Sequence, residues 1–504
     1  MTSDALKKIL EHVRQTAMLQ STMSMLEWDQ NTGLPPSAAE YRADQLTLLA
    51  GMVHQRRVDP ELGHWLDELI ATVADQDPTS PPAVIARCMK REFDRCRKLP
   101  QKLVEELSYA TSIGQQVWVE AKLGDDYPRF MPQLTRIVEL KRQEADCLAS
   151  PGQSRYDVML DSYEEGATTQ EIRQIFLRLR ESLVPMIQRA SERSAKLGPS
   201  VLEGRFAIEP QERFSKWVAG QIGFDFQRGR LDQTEHPFCT TLGPHDHRIL
   251  TRYSQESFST GLYGVLHEAG HGMYEQGLDP QWYGTPVGSA ASLGVHESQS
   301  RLWENLVGLA SPFWTWAYPH LLEVFPSEFR DVAPSRLLAD LNRVQASLIR
   351  IEADEVTYNM HILIRFELEE QLMSQELQVA QLPEAWNDKY RNFLGIAPSD
   401  DRTGVLQDVH WSAGLIGYFP TYTLGNIYSA QLYSAADRQL GGLDRQLERG
   451  EFRPLLEWLR DKVHRHGQTY LPMELIQRAT GEPVDSRYLV DHLNSKCSQD
   501  RIWQ

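Results

Sequence analysis

Residues 262–273 read LYGVLHEAGHGM, and this stretch indicates both a local structure and a chemistry. Its apolar residues recur at intervals of three and four, which predicts an amphipathic helix with one face in a core. His267 and His271 are four residues apart and fall on nearly the same face of that helix, where two imidazoles can bind one cation. Glu268 lies beside them, within reach of a water molecule. The spacing is typical of metal-assisted peptide hydrolysis, and the structural alternative is a pair of ordinary buried histidines.

A catalytic zinc site needs a third protein ligand, and hydrolases often use a carboxylate. Glu297 is the candidate, because it follows His271 by a glycine-rich connection and begins a second helical run, 296–305. In that run Glu297, Arg301 and Glu304 share a polar side. Two antiparallel helices would bring Glu297 to the histidines. The alternative is a solvated Glu297 that pairs with Arg301 at i+4.

Most of the remaining chain has helical periodicity. Thr168 and Glu171, for example, form a capping-box pattern before an apolar run. The exception is about 205–253, which reads as short strands interrupted by Gly and Pro. We therefore predict a mainly α fold with a small antiparallel sheet next to the helix that carries the histidines.

Composition narrows the class of protein. The chain has 504 residues and a formal net charge of -17, which disfavours binding to nucleic acid. The first 18 residues lack the apolar core of a signal peptide, and no later stretch has the roughly 18 apolar residues that span a bilayer, so we expect no membrane partner. The five cysteines are an odd number without CxxC spacing. We expect a cytoplasmic protein without disulfides.

Further motifs extend well beyond the histidine helix: HES at 296–298, HPF at 236–238, IRIEAD at 349–354 and GVLQDVHW at 404–411. With HEAGH at 267–271, they make the chain similar to the carboxypeptidase Taq family of zinc metallopeptidases. One motif departs from the family pattern, since the residues that match DxRxT, 246–250, end in Leu250 in place of Thr, and Thr251 follows.

The resemblance implies a large helical zincin-like fold with a deep substrate cleft, a single peptidase domain over 1–504, and a homodimer. It also implies that 1–80 form a helical cap over the cleft and that 205–425 contribute the catalytic site. In related zinc peptidases an edge strand pairs with the extended substrate, and we expect the same of the small sheet.

The implied activity is a broad-specificity metallocarboxypeptidase acting on peptides with a free C-terminus. Zinc held by His267, His271 and Glu297 would lower the pKa of a bound water toward about 7. Glu268 would accept the proton of that water and pass it to the departing amine. Ligand type favours one zinc ion per subunit, with Co²⁺ or Mn²⁺ as possible substitutes.

Recognition of the terminal carboxylate calls for an arginine. Arg350 is the first candidate, because the resemblance places its motif at the cleft, and Arg248 is the second. The alternative is that Arg350 is a structural partner of Asp354 at i+4.

The tetrahedral oxyanion needs a hydrogen-bond donor besides the metal. The candidates are His410, Tyr422 and His236, which lie in or near family motifs. Gln407 is a candidate for substrate binding, although its role and that of Asp408 are open to a structural interpretation.

Two other functions compete with the carboxypeptidase hypothesis. One is a zinc oligopeptidase that cleaves short peptides internally. The other is a non-catalytic helical interaction protein.

Overall fold

The computed structural model describes residues 4–498. Residues 1–3, which begin the predicted 1–504 domain and its 1–80 cap, lie outside the described residues. Residues 499–504, which end that domain, also lie outside them. The fold is 68% helical, which confirms the predicted class. Within 4–498 the α-helices are, in chain order, α1 Asp4–Thr32, α2 Ala39–Arg57, α3 Pro60–Val73, α4 Pro81–Lys98, α5 Gln101–Gly124, α6 Tyr127–Leu148, α7 Arg155–Asp161, α8 Thr169–Ser194, α9 Ile208–Ile222, α10 Phe258–Gly277, α11 Leu293–Arg301, α12 Ser311–Val324, α13 Pro334–Leu341, α14 Glu355–Ser374, α15 Leu382–Leu394, α16 Pro420–Leu440, α17 Asp444–Leu447, α18 Arg453–Lys462, α19 Pro472–Thr480 and α20 Arg487–Ser498.

Shorter helical turns and one small sheet complete the fold. A π-helix, Leu302–Val307, continues α11. The strands are β1 Gly229–Gln233, β2 Phe238–Gly243 and β3 Asp246–Thr251, and the 3-10 turns are Pro36–Ala38, Pro280–Trp282, Pro286–Gly288, Arg350–Glu352, Val379–Gln381 and His464–His466.

The chain divides into two compact units. Within the described residues, unit 1 comprises 4–96, 199–341 and 428–483, and unit 2 comprises 97–198, 342–427 and 484–498. The predicted cap, 1–80, lies in unit 1 and contains α1–α3, whereas the predicted catalytic segment, 205–425, contributes to both units. The single domain over 1–504 and the cap over a cleft stay predictions.

The sheet in unit 1 is mixed rather than wholly antiparallel. Its strand order is β1-β3-β2, with β1 parallel to β3 and β2 antiparallel to β3. The difference from the predicted antiparallel sheet has a simple origin. The turn at 244–245 folds β3 back onto β2 as a hairpin, and β1 takes the free edge of β3 in the same direction.

The helix predicted around HEAGH is α10, which packs against β3 and α11. Val265, Leu266, Ala269 and Met273 are fully buried, which confirms the predicted apolar face. Gly270 has a steric reason, because a Cβ there would lie 2.5 Å from the carbonyl oxygen of Gln299 on α11. The close approach of the two helix backbones therefore requires glycine and offsets its cost in a helix.

In unit 2, α14 is buried along nearly its whole length. Asp354 begins this helix and accepts hydrogen bonds from the backbone N–H groups of Val356 and Thr357. Its carboxylate is therefore a helix cap.

Among residues 4–498, no helix combines the length and apolar character that a membrane crossing requires.

Candidate metal centre

His267, His271 and Glu297 form a three-ligand cluster in unit 1. The Nε2 atoms of His267 and His271 lie 3.7 and 3.6 Å from Oε2 of Glu297, and one ligand atom from each residue falls within 4.8 Å of the others. Two ligands of one tetrahedral zinc ion are separated by about 3.4 Å, given metal–ligand distances near 2.1 Å. The donor types and their spacing therefore fit a metal ion.

The two helices deliver these ligands by simple geometry. His267 and His271 are one turn apart on α10. Ser292 precedes α11, and its hydroxyl caps the helix by accepting from the N–H of Val295. Glu297 follows in the second turn and is 7% exposed. The loop between α10 and α11 thus turns the chain so that Glu297 faces the histidines, as predicted.

Glu297 also pairs with Arg301, so the structural alternative for this residue is realised together with the metal cluster. Nε of Arg301 donates to Oε1 of Glu297 at 2.7 Å. This pairing occupies one carboxylate oxygen and leaves Oε2 toward the histidines. Glu297 is buried rather than solvated, because both oxygens have partners inside the protein.

The electrostatics of the cluster favour a cation. Burial alone would lower the pKa of His267, but the carboxylates of Glu297 and Glu304 raise it to about 9. Burial is the main cause that lowers the pKa of His271 well below its usual value, and the neighbouring imidazoles of His296 and His267 add to the shift. The carboxylates around His267 therefore stabilise a positive charge at the cluster. His271 is a neutral imidazole, which is the form that binds a metal.

Glu268 lies on α10 between the two histidines and is 6% exposed. Burial raises the pKa of this carboxyl to about 7, with His267 opposing the shift and Glu297 adding to it. A carboxyl whose pKa lies near neutrality is suited to accept and return a proton at pH 7. Glu268, next to His267 in the sequence, is therefore a candidate acid–base group, and this predicted role stays a prediction.

A second buried cluster lies in unit 2 and contains Arg350. Its guanidinium donates through Nε to Asp408 Oδ1 at 2.9 Å and through NH1 to the hydroxyl of Tyr358 at 3.0 Å. Arg365 binds the other oxygen of Asp408, with Nε at 2.7 Å from Oδ2. Asp408 thus takes the place of Asp354 as the structural partner of Arg350. Burial alone would raise the pKa of Asp408, but the two arginines lower it well below its usual value.

The remaining predicted residues of this region surround the same arginine. His410 Nε2 lies 3.2 Å from the Tyr422 hydroxyl, and the Arg350 guanidinium is 5.1 Å from the Tyr422 ring. Burial is the main cause that lowers the pKa of His410 to about 4, so the ring is neutral at pH 7. The Gln407 side chain accepts from the N–H of Arg350 and donates to backbone carbonyls such as that of Leu348. These contacts hold the backbone in place, and the predicted roles of His410, Tyr422 and Gln407 stay predictions.

Arg248 and His236 lie in unit 1, Arg248 within β3 and His236 in the loop before β2. Arg248 forms a two-pronged hydrogen bond with Asp246, at 3.0 and 2.9 Å, and its guanidinium lies 4.3 Å from the Trp28 ring centre. His236 is exposed in the loop before β2. Their substrate-binding roles stay predictions.

The altered DxRxT-like motif places Leu250 and Thr251 on opposite faces of β3. Both residues are fully buried. Thr251 packs against α10, with its hydroxyl 3.5 Å from the carbonyl oxygen of Gly261. Thr251 therefore does not replace the missing threonine on the face that Leu250 occupies.

Several residues of these clusters escaped prediction as functional residues. Glu304 contacts His267, Glu275 contacts His296, which in turn contacts His271, and Arg365 contacts Asp408. The helical spacing offered a signal for the first two, since Glu275 lies one turn after His271 and Glu304 shares the polar side of Glu297. No local pattern links Arg365 to Asp408, which is 43 residues away.

Comparisons with known proteins agree with the metal cluster. The family model described as "Carboxypeptidase Taq (M32) metallopeptidase" matches residues 8–497. The chain is 44% identical over 500 residues to thermostable carboxypeptidase 1 of Thermus thermophilus, with 98% of each chain covered. It is 36% identical to carboxypeptidase 1 of Bacillus subtilis, again over 98% of both chains. The crystal structure of the M32 carboxypeptidase from Deinococcus radiodurans superposes with a TM-score of 0.95 at 38% identity, covering 99% of this chain and 100% of that one.

Proposed function

Because the chain belongs to the carboxypeptidase Taq (M32) family and is a metallocarboxypeptidase, we propose that it releases single residues from the free C-termini of peptides, with broad specificity, using zinc bound by His267, His271 and Glu297. The observation that carries this proposal is the convergence of two imidazole nitrogens and one carboxylate oxygen beside Glu268. Two nitrogen ligands and one oxygen ligand favour zinc, with Co²⁺ or Mn²⁺ as substitutes.

When bound, the metal ion supplies positive charge that acidifies a water molecule and polarises the peptide carbonyl. The protein's own contribution to the proton transfers comes from Glu268. Its carboxylate takes the proton of the attacking water and returns it to the amide nitrogen, which then leaves as an amine. The pKa near 7 supports both steps, since the group can hold and release a proton at neutral pH.

We propose Arg350 as the residue that binds the terminal carboxylate, with Arg248 as the second candidate. Charge balance supports this order. Arg350 and Arg365 share the single carboxylate of Asp408, so their cluster retains positive charge for an anion. Arg248 has Asp246 to itself and is already neutralised.

For the oxyanion we propose the hydrogen-bonded pair of His410 and Tyr422, with His236 as the alternative. A neutral imidazole keeps one N–H, and the hydroxyl of Tyr422 supplies a second donor. Y422F, which keeps the ring, is expected to lower kcat more than it changes KM, by about 10²-fold or more. A change confined to KM would remove Tyr422 from this role.

The reaction is tested with an N-acetylated peptide of mixed sequence, followed over time by mass spectrometry. We expect a ladder of products that shorten from the C-terminus one residue at a time. Chelation should stop the reaction, and Zn²⁺ should restore it, with Co²⁺ and Mn²⁺ compared in parallel. Internal fragments as the first products would instead support an oligopeptidase, and activity that survives complete metal removal would refute the metal mechanism.

The role of Arg350 is tested by comparing a free peptide with its C-terminal amide. R350A should lower kcat/KM strongly on the free acid and little on the amide, because only the acid presents the carboxylate. R350K keeps the charge but loses the planar fork, and it should be intermediate. An equal loss on both substrates would count against carboxylate binding.

Three further proposals concern assembly, location and substrate alignment; the first and third follow from the family resemblance, and the second from the cysteine usage. The protein forms a homodimer, which analytical ultracentrifugation can test. It works in the cytoplasm, and an edge of the β1-β3-β2 sheet pairs with the extended substrate backbone.

A further inference from the structure

We propose that Glu304 on one side, and His296 with Glu275 on the other, are positioning residues that hold both metal histidines in the tautomer that binds metal through Nε2. The inference rests on the proposed metal site. It concerns residues outside the three ligands and predicts that they set the metal affinity of the protein.

Glu304 acts directly on His267. Its Oε2 lies 2.8 Å from Nδ1 of His267. An ionised carboxylate can only accept hydrogen bonds, so Nδ1 must carry the proton. Nε2 of the neutral ring is then unprotonated, and it is the atom that faces Glu297 Oε2.

Arg301 joins this carboxylate to the third ligand. Its NH1 donates to Glu304 Oε2 at 3.2 Å, while its Nε donates to Glu297 Oε1 at 2.7 Å. One guanidinium therefore orients the carboxylate ligand and the carboxylate that orients His267. The π-helix Leu302–Val307 begins between Arg301 and Glu304, and π-helical turns recur at functional sites.

On the other side, His271 is held through a second histidine. Its Nδ1 lies 2.5 Å from Nδ1 of His296, whose Nε2 lies 2.9 Å from Glu275 Oε1. The carboxylate of Glu275 accepts, so His296 carries its proton on Nε2. The bare Nδ1 of His296 must then accept from Nδ1–H of His271. Nε2 of His271 is left unprotonated, 3.6 Å from Glu297 Oε2.

The far end of this chain is also hydrogen-bonded. The hydroxyl of Thr241 on β2 donates to Oε2 of Glu275 at 3.0 Å. Both oxygens of Glu275 therefore have donors, which fixes the carboxylate against His296.

The two metal histidines thus acquire the same tautomer in two different ways. A carboxylate contacts His267 directly, whereas a carboxylate acts on His271 through an imidazole. Removing a residue that forms a hydrogen bond with a metal ligand typically weakens metal binding by about 10- to 100-fold.

The test is the dissociation constant for Zn²⁺ of the full-length apo protein, measured by competition with a chromophoric chelator. E304A should weaken zinc binding by about 10- to 100-fold, and E304Q, which keeps an acceptor oxygen, should weaken it less. H296N should also weaken zinc binding. T241V, which changes the shape of the side chain little, should weaken zinc binding by a few-fold.

The chain offers a matched control. His320 and Glu323 form another histidine–glutamate pair in unit 1, with the same atoms as His267 and Glu304, Nδ1 and Oε2, and the same 2.8 Å separation. E323A removes that hydrogen bond from a histidine outside the metal cluster, so its zinc affinity should equal that of the unmodified protein.

A direct readout of the tautomers separates positioning from misfolding. Long-range ¹H–¹⁵N spectra of the zinc-loaded protein should place the protons of His267 and His271 on Nδ1, and E304A should shift the Nδ1–H signal of His267 while E323A does not. Zinc affinities of E304A and H296N within about two-fold of the parent would overturn the proposal, given the expected range. Failure of the unmodified protein to bind zinc would instead overturn the proposed function.

Discussion

The metal centre of unit 1 and the arginine cluster of unit 2 are both buried ionic networks, but their charge balances are opposite. Four carboxylates lie in or beside the metal cluster, those of Glu268, Glu275, Glu297 and Glu304, and the guanidinium of Arg301 contacts two of them, Glu297 and Glu304. In unit 2, Arg350 and Arg365 share the single carboxylate of Asp408. Since unbalanced charge is costly to bury, each network is suited to a ligand of the opposite charge. The first favours a metal cation and the second favours an anion such as a peptide carboxylate.

The largest expected effect tests whether the proton chemistry belongs to unit 1. E268Q removes the acid–base group but keeps the shape of the side chain, so kcat should fall by about 10²- to 10⁴-fold. Because Glu268 is not one of the three ligands, zinc content measured by mass spectrometry should stay at that of the parent. Activity close to the parent's in zinc-loaded E268Q would remove this assignment.

A charge change in unit 2 should act on stability instead. D408N leaves Arg350 and Arg365 without their carboxylate, and breaking such a buried pair costs about 3–5 kcal/mol. Hydrogen exchange of α14 amides, which reports the local free energy of opening, should reveal the loss, while the zinc affinity of unit 1 should not change.

D246N provides the control for that experiment. It breaks a single pair, Asp246 with Arg248, in which the aspartate side chain is 40% exposed. Exposed pairs contribute about 0–1 kcal/mol, so the loss should be much smaller. Equal losses for D408N and D246N would show that the charge excess in unit 2 has no energetic consequence.

The two networks also differ in how much of them the sequence predicts. His267, His271 and Glu297 come from two consecutive helices; helical spacing aligns the two histidines, and the loop between α10 and α11 brings Glu297 to them. Gly270 reads as a weakness in the helix until the backbone of α11 is seen against it. The family motifs led to Arg350 and Asp408 separately. Their contact, and the role of Arg365, depend on how residues 350, 365 and 408 pack, which no local period records.

Glu369 allows a pH test within unit 2. This fully buried carboxyl accepts from Trp411 Nε1, the Tyr156 hydroxyl and the N–H of Gly417. Burial is the main cause that raises its pKa from 4.5 to about 7, against the lowering by these donors. The raised pKa means that the folded state holds a proton that the unfolded chain loses. The contribution of this proton to the free energy of unfolding is therefore fully present below pH 4.5. It declines, by about 3 kcal/mol in all, as pH rises to about 7.

E369Q should remove that decline, because glutamine does not titrate. The difference in unfolding free energy between E369Q and the parent, measured in unit 2 from pH 4.5 to 8, should therefore change steadily up to about pH 7 and then level off. The pH dependence of the Asp408 contribution has the opposite sign. Because the pKa of Asp408 is lowered in the folded state, its contribution to stability is lost only as pH falls below the usual pKa range of an aspartate. A difference that stays constant from pH 4.5 to 7 would refute the raised pKa of Glu369.

The smallest expected effect compares two helix caps, one in each unit. Ser292 begins α11, which carries Glu297, and Thr168 begins α8; each hydroxyl accepts from the N–H three residues later, at 3.0 and 3.3 Å. S292A and T168A should each cost about 1 kcal/mol of local stability, measured by hydrogen exchange at the first turn. Only S292A should weaken zinc binding, by a few-fold, because fraying of α11 releases Glu297 from the histidines. If T168A weakened zinc binding equally, metal affinity would follow general stability, and the local origin of the metal centre in two capped helices would be wrong.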